Sequence, residues 1–263
     1  MKKTNFMYKI EIKLRINNIP DKSFDLVDSV IKASGFQSTH MDILVNFSKP
    51  LVENQEYSYS KLFELMKNYP DSITLKNKTS YKNSLKKIEV KFVNVNKLEL
   101  LQNVTLGFFA EHINNNLIDE FLKIIQKEED FIYLLAYNFD DSFEQSDISL
   151  DIENCDNKLF NYGKNIKIKG YRFIAAPVMC FGNLYNEVIA FTLLLDLKDI
   201  FFVKLINEKV IYLELFDLYE NPISDLNRLR QKKYWDFLEL NHIINNFNKK
   251  TTFSFFEFLK NQK

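Results

Sequence analysis

The chain has 263 residues, 46% of them apolar and 27% charged, with 35 basic and 35 acidic side chains and only two cysteines. This composition excludes a disordered chain and a disulfide scaffold, and it is enough to bury a substantial core. The neutral total hides an uneven spread: residues 1–100 hold 17 basic and 11 acidic residues, whereas Glu128–Asp156 holds ten acidic residues and no Lys or Arg.

The elements are read in chain order. Tyr8, Ile10, Ile12, Leu14 and Ile16 alternate with Lys9, Glu11, Lys13 and Arg15. That is a strand with one buried and one wet face. After Pro20, Ser23 can cap a helix carrying Phe24, Val27, Val30 and Ile31, stopped by Gly35. A strand is expected at Met41–Phe47, ending before Pro50, then a helix at Ser58–Asn68 and a short strand at Ile73–Leu75. The basic stretch 76–87 reads as a loop, and Ile88, Val90 and Phe92 as a half-buried strand.

Val104–Phe109 is expected to be a strand, Asn114–Lys127 an amphipathic helix and Phe131–Phe139 a β-rich run. Asp140–Lys158 reads as a solvated acidic loop with a short extended piece at 148–152. Tyr171–Met179 is apolar and extended up to Pro177, and a helix is expected over Leu184–Leu195. Ile200–Ile206 and Val210–Phe216 form a hairpin around Asn207, a residue that tolerates the left-handed conformation of a tight turn. Pro222 and Ser224 introduce a helix over Asp225–Leu240, with Leu226, Leu229, Tyr234 and Phe237 as its apolar face, Arg228, Arg230, Lys232 and Lys233 solvated, and Trp235 anchored in the core. The aromatic tail Phe253–Leu259 suits a short docking helix. Strands and helices mix without strict alternation, so the expected fold is one α+β domain over 1–263, with a mixed or mainly antiparallel sheet and room for two subdomains meeting near residue 100.

The familiar catalytic frames are missing. The five glycines, Gly35, Gly107, Gly163, Gly170 and Gly182, are too far apart for a dinucleotide fingerprint, a P-loop or a nucleophile elbow. His40, His112 and His242 are scattered, and no zinc spacing or EF-hand loop exists. Cys180, between Met179 and Phe181, sits in surroundings that raise a thiol's pKa. Neither cofactor nor metal is expected, nor an enzyme. The longest apolar stretch, of about eight residues, falls far short of the roughly 20 needed to span a membrane. Lys9, Glu11, Lys13 and Arg15 interrupt any export signal. The expectation is therefore a cytoplasmic protein with no membrane partner. Neutral net charge and the acidic window also disfavour nucleic acid.

The stretch Phe173-Ile174-Ala175-Ala176-Pro177-Val178-Met179-Cys180-Phe181-Gly182 resembles a strand and aromatic-glycine corner of some bacterial polymorphic-toxin immunity proteins, with Cys180 where that pattern places tryptophan. The hairpin and the helix with Arg228, Arg230 and Gln231 follow in a similar order, so the resemblance covers roughly residues 104–240. It implies a protein that binds and neutralises a cognate toxin and has no catalytic residues to carry over. On this reading Asp140, Asp141, Glu144, Asp147, Asp151 and Glu153 form an acidic surface that meets a basic partner. The competing readings are a structural or interaction protein of a phage or mobile element, and an enzyme of unfamiliar type.

Overall fold

A computed structural model describes residues 7–17, 21–35, 37–45, 49–66, 71–76, 87–96, 101–110, 113, 115–126, 130–139, 141–142, 166–168, 171–243 and 246. The fold is α+β. Twelve strands are described: β1 (Tyr8–Asn17), β2 (His40–Val45), β3 (Lys49–Glu56), β4 (Ser72–Lys76), β5 (Lys87–Asn96), β6 (Leu101–Ala110), β7 (Phe131–Asn138), β8 (Ile166–Ile168), β9 (Tyr171–Phe173), β10 (Val178–Gly182), β11 (Phe202–Asn207) and β12 (Val210–Glu214). Helices α1 (Asp21–Ser34), α2 (Tyr59–Met66), α3 (Asn115–Ile125), α4 (Asn183–Asn186), α5 (Phe191–Leu195) and α6 (Asp225–Leu240) pack on them, with a 3₁₀ turn at Asp196–Asp199.

Ten strands make one antiparallel sheet in the order β11-β12-β10-β7-β1-β6-β5-β4-β2-β3, and β8 pairs with β9 apart from it. The alternation read in β1 places that strand at the centre, between β6 and β7. The strands on either side of residue 100, β5 and β6, pair along their length.

Each face of the sheet has its own core. On the first face, Ile10, Ile12 and Leu14 of β1 join Leu106, Phe108, Leu134, Ala136, Val178 and Cys180 under α1, α2 and α3. Val30, Ile31, Leu62, Leu65, Ile118, Phe121 and Ile125 supply the helical side of that layer. On the second face, Tyr133, Leu135, Tyr137, Met179, Phe181, Ile211 and Leu213 lie under α4, α5 and α6, which contribute Tyr185, Phe191, Leu194, Tyr234, Trp235 and Leu238. Tyr185 is the hub of this second core, stacked on Phe181 at 4.3 Å and edge-on to Tyr171 and Tyr133.

Several sequence expectations are corrected. β3 was not expected, because Pro50 reads as a strand breaker. It is an edge strand, where the missing N–H of proline costs no ladder bond. Strand β10 follows Pro177 directly, in place of a run that ends there. The single helix over 184–195 is two short ones: Val188 and Ile189 both donate to Tyr185 O, and Asn186 Oδ1 accepts the Phe191 N–H to start α5. In the hairpin, Asn207 works through its side chain, accepting from the Lys209 N–H at 2.8 Å. Among the described non-glycine residues only Asn54 and His242 have positive φ. The expected extended piece at 148–152 and the tail helix at 253–259 lie outside the described residues.

Candidate functional site

The second face divides near β1. Beyond it, β6, β5, β4 and β2 carry no described helix, and the register places polar side chains across them. Lys9, Glu11 and Lys13 lie beside Phe109, Gly107 and Thr105, which lie beside Lys87, Glu89 and Lys91. Most of these charges are answered locally. Lys9 pairs with Glu11 at 2.7 Å, Lys87 with Glu89 at 2.7 Å and Lys76 with Asp42 at 2.5 Å. Phe109 sits between the ammonium groups of Lys9 and Lys87, at 5.0 and 4.6 Å from its ring centre. That arrangement attracts cations to the ring face. Gly107 makes the room: a Cβ there would come within 3.0 Å of Lys9 Cε.

Where the open half meets the covered half, a charged cluster is enclosed. Glu11 is 2% exposed. Its Oε2 accepts from Arg172 at 2.7 Å, from Lys9 at 2.7 Å and from Tyr137 Oη at 3.0 Å, and its Oε1 accepts from Tyr133 Oη at 2.9 Å. Arg172 also donates to Tyr137 Oη at 2.5 Å and lies over that ring. Its own carbonyl accepts from Tyr185 Oη at 2.9 Å, which ties the cluster to the aromatic core. Burial pushes the Glu11 carboxyl up, but the Lys9 and Arg172 cations and the hydrogen bonds outweigh it and hold it far below the usual carboxylate range. Burial, then the Glu11 charge, pushes Tyr133 and Tyr137 up. Glu11 therefore stays ionised and both phenols stay protonated at neutral pH. The cluster is a fixed set of donors around one anion.

A second cluster corrects the expected acidic surface. Asp141, read as a partner-binding residue on a solvated loop, is 2% exposed. Its Oδ1 lies 2.7 Å from Arg228 NH1, and its Oδ2 accepts from Gln231 Nε2 at 3.0 Å. Gln231 also donates to Ala175 O, and Arg228 donates to Gln231 Oε1 at 2.8 Å. The Asp141 N–H is held by Asn138 Oδ1. Asp141 thus anchors the end of β7 to α6 and is turned away from solvent. Asp140, Glu144, Asp147, Asp151 and Glu153 lie outside the described residues.

Tyr234, Trp235 and Phe237 of α6 pack on the core as expected, but the same contacts change the rest of its inner face. Asn227 and Gln231 turn inward with Tyr234, Trp235 and Leu238, because each amide finds partners there. Asn227 Nδ2 donates to Glu220 and to Asn221 O. Arg228, read as solvated, is drawn in by Asp141. Leu226 and Leu229, read as core, face outward at 57% and 49% exposure. Ser224 does cap the helix, accepting from Asn227 N.

No protein-family model matches this chain, and no curated protein matches it. The site must be judged on its own chemistry. Among the described residues no group of three or more His, Cys, Asp or Glu could hold a metal ion. Cys180 is enclosed on the first face, and burial pushes its thiol up, which makes it a weak nucleophile. Among the described residues no helix is long and apolar enough to cross a membrane. The sequence reading missed the Glu11 cluster entirely. Its one visible signal was Arg172, the lone charge in the apolar run Tyr171–Gly182.

Proposed function

We propose that this chain is a cytoplasmic immunity protein that binds a cognate bacterial toxin and blocks it, acting by surface contact alone. The observation that carries this reading is the acidic window after β7: Asp140–Asp156 holds seven acidic residues and no Lys or Arg, one of which, Asp141, is buried. Such a density of one sign attracts a basic partner over a long range and speeds association. A toxin that works on nucleic acid presents the matching basic groove, and an acidic surface occludes it.

Two features of the described residues support surface action. The buried carboxylates are already neutralised, Glu11 by Arg172 and Lys9, and Asp141 by Arg228. The groups around Glu11 are pushed away from neutral pH in opposite directions, which suits scaffolding better than proton transfer. With Asp141 committed to α6, the partner-binding set becomes Asp140, Glu144, Asp147, Asp151 and Glu153.

The test is co-expression with the toxin encoded beside this chain's gene, followed by binding kinetics on the purified pair. Growth rescue is expected. Reversing Asp147, Asp151 and Glu153 to Lys should slow association at least tenfold at low salt and flatten its salt dependence. A toxin that still kills, or kinetics indifferent to the three reversals, overturns the reading.

A further inference from the structure

The outward side of α6 carries a stripe that the function above does not use. Leu226, Leu229 and Leu240 are 57%, 49% and 78% exposed, and Lys233, between them, is exposed too. With Asp236, the stripe runs 226, 229, 233, 236, 240, in steps of three and four. That spacing keeps one line along a helix and is the seam geometry of paired helices. The opposite side, Asn227, Gln231, Tyr234, Trp235 and Leu238, is fully occupied by the second core. One helix thus carries a packed inner face and an outer seam.

We infer that α6 pairs with α6 of a second copy of this chain, antiparallel across a two-fold axis. The argument for a second copy is that the stripe complements itself. An antiparallel register centred between Tyr234 and Trp235 sets Leu229 of one copy against Leu240 of the other, twice. The same register sets Lys233 against Asp236 of the other copy, also twice, and brings Lys232 toward Glu239. An isologous interface demands that one patch satisfy its own mirror partner. Here Leu229 meets Leu240 and each cation meets an anion. Within one chain Asp236 already accepts from Lys232 at 2.8 Å, with both side chains more than a third exposed, so it remains open to a second cation. Leu226 and Ile223, 57% and 42% exposed, continue the apolar line beyond Leu229 at the start of the helix.

Sedimentation equilibrium of the full chain over a micromolar range tests the pairing. A reversible dimer is expected. Leu229→Asp combined with Leu240→Asp should give a monomer that still melts cooperatively, at a temperature independent of its concentration, since neither side chain is in the core. Lys233→Asp and Asp236→Lys should each weaken the dimer at least tenfold, since each reversal makes two symmetry-related pairs repulsive. The double variant Lys233→Asp, Asp236→Lys should restore it, because the swap keeps the complementarity. A chain that stays monomeric throughout overturns the inference, whether the seam is bare or covered by the chain's own tail. So does a dimer indifferent to the charge swap.

Discussion

The two faces of the sheet are built from the same strands and meet opposite fates. The first is one mainly aliphatic layer, running from Val210 at one end to Met41 and Ile43 at the other, and three helices cover it. The second is aromatic under α4–α6 and polar beyond β1, where Lys, Glu and Thr side chains lie across the strands. A strand of period two can serve both because its alternate residues never share a face. The difference shows where a charge can be buried: at the seam between a wet half and a dry half, where Glu11 reaches Lys9 on one side and Arg172 and two tyrosines on the other.

The largest effect expected is at Gly182, in the dry half. A Cβ there would lie 2.5 Å from Phe131 Cδ1 and closer still to the Phe131 carbonyl oxygen, so the β10–β7 junction would have to open. Gly182→Ala should cost upwards of about 4 kcal/mol in urea unfolding, or prevent folding. Next is Arg172→Met, which removes the main dry-side donor to Glu11. It should cost about 3 kcal/mol, at the low end for a broken buried pair because Lys9 stays.

The same seam sets a pH dependence. Because the folded-state pKa of Glu11 is depressed, its contribution is fully present above the unfolded-state value of about 4.3. It is lost progressively as pH falls from there toward the folded value. Midpoints of urea unfolding measured from pH 7 to pH 2 should fall on the acid side, and Glu11→Gln should flatten that fall while lowering the neutral-pH plateau. A smaller effect is expected from Ser224→Ala, about 1 kcal/mol for a lost helix cap. Leu226→Ala should change monomer stability by less than about 0.5 kcal/mol, since that side chain lies outside both cores. A large loss there would show that α6 is covered on both sides within one chain.

Much of the frame was legible because it rests on local rules. The alternation at Tyr8–Ile16, the turn-flanked hairpin and the Ser224 cap each depend on neighbours in sequence. What stayed hidden depends on partners far away. Asp141 reads as one more residue of an acidic loop until Arg228 and Gln231, about ninety residues on, arrive beside it. Asn227 and Gln231 are polar and read as outward, yet a polar side chain turns inward once its hydrogen bonds are met there. Leu226 and Leu229 were then displaced to the surface. The hydrophobic pattern of α6 held for Tyr234, Trp235 and Phe237 and misled at Leu226 and Leu229, because the inner face is held partly by amides.

The central placement of β1 ties the order of synthesis to the order of assembly. This strand is made well before its neighbours β6 and β7, which lie about a hundred residues or more further along the chain. Its apolar side must wait for both, and closing such long loops makes for slow folding. The same wiring means that a cut between β6 and β7 would leave the later fragment with a vacant slot at its margin, one that a short strand added from outside could fill.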